Sequence, residues 1–242
     1  MGFNPGLLNQ VVEWATRHDL KKGDAIFDIG TSELYCAHDP QALNRFLFHF
    51  GAAGYEGEEL ANKADRSPAG DLFVRAGLKY QAVDIAPYER TLQMDLNGGR
   101  LPYRHRGRYA LVTNTGTSAY VLNQLNVFKV AHEACAVGGM IYHSVPMSGE
   151  YDHGFFSYHP RFFRALAGAN DYTILALWGW VSDQSATHRE NLNGWSPRFP
   201  MELNTRHVVQ PAWAHILLRK KWKAPFRVPT DGIAWSGTPG QK

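Results

Sequence analysis

Three short apolar runs in this chain each end in a carboxylate. They are Ala25-Ile26-Phe27-Asp28-Ile29-Gly30, Gln81-Ala82-Val83-Asp84-Ile85 and Leu92-Gln93-Met94-Asp95-Leu96-Asn97. A fourth run, 109–113, closes in the polar turn Asn114-Thr115-Gly116. In a doubly wound α/β sheet, ligands sit at the carboxyl ends of the strands, where the strand order reverses. A carboxylate ending the second strand can accept hydrogen bonds from a ribose hydroxyl pair. Asp84 therefore points to a nucleoside-containing cofactor. A second group of reactive side chains follows the fifth strand signal, where His143 is succeeded by Asp152 and His153. Histidine titrates in the range useful to a general base, so these three residues are the candidate catalytic set. The competing reading is a loop of hydrogen-bonded structural histidines. Their spacing defines no metal ligand set, and none is assigned.

The elements that must position these residues alternate. Leu7, Leu8, Val11, Val12 and Ala15 recur at helical spacing, which predicts a helix over 5–18. Asp39-Pro40 reads as an N-cap followed by proline at the first helical position, with Leu43, Phe46, Leu47 and Phe50 on one face. A further helix is expected from Glu59 to Ala76, broken near Ser67-Pro68, with Gly77 as its cap. Another is expected over 121–136, capped by Thr117 or Ser118 and stopped by Gly138-Gly139. Strands are expected at 140–145, 172–180 and 214–218, and a helix starts at His159-Pro160. This order predicts an α/β fold: a seven-stranded, mostly parallel sheet with helices on both faces. Residues 182–206 read as a long polar loop, a possible lid carrying Trp195 and Phe199, and residues 223–242 as an irregular tail.

Composition sets the outer bounds. The 242 residues suit one α/β domain, 1–242, with residues 1–22 as an N-terminal helical segment. A net charge of +3 gives no electrostatic reason for a nucleic-acid partner. The run Arg219-Lys220-Lys221-Trp222-Lys223 reads as a solvated strand end. Two cysteines build neither a disulfide framework nor a cysteine zinc site, so a reducing, cytoplasmic location is expected. The start lacks the basic-then-apolar build of a signal peptide, and Gly6 stands where myristoylation would want Ser or Thr. The longest strongly apolar run, 172–181, falls well short of a membrane helix.

From Ala25 to Lys221 this order of elements resembles the class I S-adenosylmethionine-dependent methyltransferases. The resemblance implies a Rossmann-like sheet whose last strand is antiparallel, here the apolar segment 214–218 with its basic end. It implies that Asp28, Gly30, Thr31 and Ser32 form the loop beside the methionine part of the cofactor. Asp84, with Ile85, would hold the ribose, and Asp95 with Leu96 the adenine. Asn114, Thr115 and Gly116 would flank the transferred methyl, with Thr117, Tyr158 and Trp195 as acceptor contacts. The family's first loop usually reads Gly-x-Gly, whereas this one is Gly30-Thr31-Ser32-Glu33 with a single glycine. The pyrophosphate fingerprint Gly-x-Gly-x-x-Gly is absent as well, which counts against a dinucleotide. The resemblance implies methyl transfer to a small-molecule acceptor, a hydroxyl being favoured. The alternatives are a methyltransferase-like scaffold without catalysis and a dinucleotide-dependent oxidoreductase.

Overall fold

The computed structural model describes residues 2–150, 153–182, 187–191 and 211–230. In chain order the elements are β1 (Gly2–Phe3), α1 (Pro5–His18), β2 (Ala25–Ile29), β3 (Glu33–Tyr35), α2 (Gln41–His49), α3 (Gly57–Ala64), β4 (Asp65–Pro68) and α4 (Ala69–Arg75). There follow β5 (Lys79–Asp84), β6 (Thr91–Gln93), β7 (Tyr109–Asn114), α5 (Gln124–Ala134), β8 (Cys135–Ser148), α6 (Pro160–Ala169), β9 (Tyr172–Ser182), β10 (Thr187–Asn191) and β11 (Ala212–Lys220).

The main sheet has the order β10-β9-β11-β8-β7-β2-β5-β6. Pairings β2–β5, β5–β6, β2–β7 and β7–β8 are parallel, and β11 runs antiparallel to both β8 and β9. This is the expected Rossmann-like sheet, with the last strand reversed and inserted between the fifth and sixth. One strand is additional: β10 folds back antiparallel on β9, Thr187 opposite Ser182, so part of the segment read as a loop is an edge strand. The order reverses between β2 and β7, which places the ligand-binding crevice at the carboxyl ends of those two strands.

Period-two alternation divides the core between the two faces. Ile26, Leu111, Met140, Tyr142 and Leu217 pack with α1, α2 and α4. Phe27, Ile29, Val112, Ile141, Ile216 and Leu218 pack with α5 and α6. Helix α1 begins where its sequence says it should: Asn4 accepts a hydrogen bond from the Leu7 amide at 2.8 Å, and Pro5 takes the first helical position. The described part of the tail, 223–230, has no regular structure, but it is tied down. His132 Nε2 lies 2.7 Å from the Ala224 carbonyl, and Asn170 Nδ2 donates to Arg227 O at 2.9 Å.

Four expectations change. Asp39 does not cap α2; it pairs with Arg45, and the helix starts at Gln41 behind Pro40. The helix expected from residue 121 begins at Gln124, capped by Asn123, after a separate turn of 3-10 helix over Thr117–Tyr120. Strand β8 is longer than its apolar run, starting at Cys135 and absorbing Gly138-Gly139 in a register shift against β7. The segments β1, β3 and β4 make a second, three-stranded sheet that no periodicity announces, because its strands are only two to four residues long. The break expected near Ser67-Pro68 is that third strand.

Candidate functional site

The site begins at the end of β2. Asp28 is fully buried and accepts hydrogen bonds from Thr113 Oγ1 and Tyr80 Oη, each at 2.7 Å. Burial pushes its carboxyl up to about 6, and the hydrogen bonds it accepts, from Ser32 among others, work against that rise. Asp28 thus fastens the loop from behind. At Gly30 φ is +84°, and an added Cβ would lie 2.0 Å from Thr117 Oγ1, so this position requires glycine. Thr31 and Ser32 follow. The Ser32 and Thr115 hydroxyls share a hydrogen bond of 2.9 Å across the crevice. The chain then enters β3, which takes in Glu33 from the predicted loop and two residues for which no element was predicted.

Asp84 ends β5 and is half-buried. Its Oδ2 accepts from the Thr31 amide at 2.8 Å and its Oδ1 from the Ala86 amide at 3.1 Å. These amides fix the carboxylate's direction while lone pairs remain for a diol. Next to it Ile85 is 69% exposed, an apolar surface beside a carboxylate, as a nucleoside site needs. Leu96 is buried nearby, whereas Asp95 is exposed and its Oδ1 accepts from the Asn97 amide at 2.8 Å, closing its own turn. A sugar and a base fit this edge: fixed acceptors, an apolar shelf, and small side chains at 30–32 where the backbone is approached.

The turn after β7 divides its residues by role. The Asn114 side chain is fully buried, donating to Ser118 Oγ at 2.8 Å and accepting from the Ser118 amide at 3.2 Å. It therefore builds the turn and offers a ligand no side-chain group. Gly116 has φ +106° and starts the 3-10 turn. Thr117 packs over Gly30, and Thr115 reaches the crevice. His143 does not reach it. Tyr142 and Ser144 point to the α1 side, so by alternation His143 points to the opposite face, stacked on Phe163 with centroids 5.6 Å apart. Its Nδ1 is 3.1 Å from Asn114 Nδ2, and burial pushes its pKa down to about 3. It is a neutral structural histidine that steadies Asn114. Tyr158 is likewise withdrawn: it is buried among Phe128, Phe162 and Phe163 and donates to Gln124 Oε1 at 2.6 Å.

Beyond Thr115 opens a cavity of about 430 Å³. Helix α1 and the residues before it supply Asn4, Leu7 and Gln10; β8 supplies Tyr142 and Ser144. Strand β11 supplies Trp213 and His215, and Glu150 and His153 close the far side. Glu150 Oε1 accepts from Trp213 Nε1 at 2.8 Å, and its Oε2 lies 4.0 Å from His153 Nδ1. The His153 ring meets Trp213 edge to face at 5.2 Å, and its Nε2 is buried without a hydrogen-bond partner. Of the two described candidate catalytic residues, His153 lines this cavity and His143 does not; Asp152 lies outside the described residues, as do Trp195 and Phe199.

Glu150, Gln10, Trp213 and His215 were missed from sequence, although two signals were available. Asn4, Leu7 and Gln10 are spaced by three on one helix face, and Trp213 and His215 by two on one strand face. Among the described residues no cluster of three or more His, Cys, Asp or Glu side chains could hold a metal ion. Among them also no helix is long and apolar enough to cross a membrane.

Strand order and crevice together define a Rossmann-like α/β fold, a mostly parallel sheet with its last strand reversed. No family model matches the chain, and no curated protein matches its sequence. Solved structures align with most of the chain at low identity. Protein BH2331 of Bacillus halodurans, described as a candidate methyltransferase, is 9% identical with a TM-score of 0.49, covering 88% of this chain and all of that one. YcgJ of Bacillus subtilis is 8% identical with a TM-score of 0.46, covering 90% and 98%. The 1,6-didemethyltoxoflavin-N1-methyltransferase of Burkholderia thailandensis is 10% identical with a TM-score of 0.45, covering 89% and 78%. These likenesses concern the path of the chain.

Proposed function

We propose that the protein is an S-adenosylmethionine-dependent methyltransferase acting on a hydroxyl of a small molecule held in the cavity beside Thr115. One observation carries this reading: the nucleoside edge and the cavity are joined by hydrogen bonds. Asp84 fixes the Thr31 amide, and the next residue, Ser32, bonds Thr115, which lines the cavity. A donor lying along residues 30–32 and 84–85 would present its reactive end at the cavity mouth.

When bound, S-adenosylmethionine supplies an electrophilic methyl group. The chain's own work is alignment, exclusion of water and proton removal. Asp84 holds the ribose hydroxyls, and Asp28 keeps the loop rigid through Thr113 and Tyr80. Alignment of the reacting atoms removes much of the barrier. Glu150 Oε2 lies on the Nδ1 side of the His153 ring at 4.0 Å; with the proton carried at Nδ1, the Nε2 lone pair is the one that would take the acceptor proton. The proposed base is therefore His153, with His143 and Asn114 holding the turn that carries Thr115.

Calorimetry with S-adenosylhomocysteine tests the donor half. The parent is expected to bind, and Asp84→Ala to weaken binding by about two orders of magnitude, as for two lost charge-assisted hydrogen bonds. Equal affinity in the variant would refute the ribose assignment. His153→Gln is expected to leave this affinity unchanged and to lower turnover by about a hundredfold or more. Undiminished turnover would remove the base.

A further inference from the structure

The cavity's lining restricts what can occupy it, given the acceptor site proposed above. Its walls are rings. Tyr142 and His215 are joined by a 2.7 Å hydrogen bond and lie at 26° to each other, and Trp180, Trp213 and Tyr35 face the same space. Flat walls of this kind gain most contact, and ring stacking besides, from a flat guest.

Charge adds a second restriction. Among the described lining residues Glu150 is the single carboxylate, and no lysine or arginine accompanies it. An anion entering here would lose water and meet a like charge.

Hydrogen bonding adds a third. Gln10 Oε1, Trp180 Nε1 and His153 Nε2 are buried without partners, and all three residues line the cavity. A buried polar atom without a partner is costly, and a guest toward which these side chains turn relieves that cost by bringing a donor for Gln10, an acceptor for the Trp180 N–H, and a hydroxyl for His153.

From these we infer that the acceptor is a planar aromatic or heteroaromatic molecule that bears a ring hydroxyl and carries no negative charge. Sugars and other puckered alcohols, and aromatic carboxylates or phosphates, are excluded.

Quenching of tryptophan emission by 2-naphthol in the 242-residue chain, which carries Trp180 and Trp213 at the cavity, and its reversal as each other probe displaces the naphthol, test this with matched bicyclic probes. These are 2-naphthol, 6-hydroxy-2-naphthoate, naphthalene and 2-decalol. The neutral planar 2-naphthol is expected to bind about tenfold or more tightly than each of the others, a factor that corresponds to about 1.4 kcal/mol. Glu150→Gln keeps an acceptor for Trp213 and is expected to shrink the advantage over the naphthoate to about threefold or less, because only the charge repulsion is removed. Ser144→Leu, which fills the floor, is expected to abolish quenching while the melting temperature shows a folded chain. If that variant unfolds, competition between 2-naphthol and the other probes on the parent still ranks them.

Equal binding of decalol or naphthoate, or no saturable binding of 2-naphthol, would overturn the inference. Separate titration with S-adenosylhomocysteine keeps the two readings apart. Donor binding without naphthol binding removes the acceptor class alone, and naphthol binding without donor binding removes the methyltransferase reading alone.

Discussion

At the scale of single residues, the site depends on a few positions where one substitution has no room. Gly30 combines a left-handed backbone with contact against Thr117. Gly30→Ala is expected to lower stability by about 2–4 kcal/mol, from backbone strain and overlap together. Thr117→Ala in the same chain should recover part of this by removing Oγ1. Urea unfolding of the two variants checks it, and a neutral Gly30→Ala would show the loop to be differently placed. The carboxylates at the strand ends were legible because the apolar run and its acidic end are local. Their division of labour was not. Asp28 and Asp84 look alike in sequence, yet one is sealed behind the loop and the other opens to the crevice, a difference set by Tyr80 and Thr113 on neighbouring strands. His143 and His153 were likewise equivalent candidates until the alternation of β8 sent the first to the far face.

At the scale of elements, strands β2, β5, β7, β8, β9 and β11 each carry an apolar run long enough to be read directly. The small sheet β1-β3-β4 does not, and it shapes the site. Strand β1 pairs parallel with β3, Phe3 opposite Leu34, and Phe3 is fully buried with its ring edge-on to Phe73 at 5.1 Å. Gly2 and Asn4, on either side of it, line the cavity. Phe3→Ala is expected to cost about 3 kcal/mol, the usual range for emptying a buried aromatic position. It should also weaken acceptor binding more than binding of S-adenosylhomocysteine, since β1 borders the cavity and not Asp84. Denaturant midpoints and the two titrations measure both effects; an equal loss of both ligands would mean that β1 supports the loop at Gly30 instead. The residue spacings that mark this wall, three along α1 and two along β11, are visible in the sequence only once the facing direction of each element is known.

At the scale of the whole molecule, buried titratable groups tie stability to pH. Burial pushes His132 down to about 4 and His143 to about 3, so in the folded state both stay neutral where the unfolded chain takes up protons. Each contribution is complete above pH 6.5 and is lost as pH falls below it, on the order of 2 kcal/mol apiece by pH 5. Asp28 acts in the opposite sense. Its raised pKa means that the folded state holds a proton the unfolded chain has released, so its contribution grows as pH falls through about 6. The midpoint of urea unfolding is therefore expected to drop from pH 7 to pH 5, and to drop further in Asp28→Asn, which lacks the offset of about 1 kcal/mol. A flat profile would show the histidines to be hydrated. The sequence by itself determined the alternation of strands and helices and the strand ends with acidic residues, because apolar periodicity, helix caps and strand-end carboxylates act over a few residues; the reversed last strand was implied only by the family resemblance and is seen in the pairing of β11 with β8 and β9. Only the tertiary structure decided which carboxylate faces the crevice, which histidine reaches the cavity, and that α1, β8 and β11 meet around it with Glu150 against Trp213. Those outcomes depend on strand pairings between distant residues, such as Ile26 with Leu111, on contacts such as Trp14 against Tyr142, and on the face each strand presents, none of which a local pattern encodes.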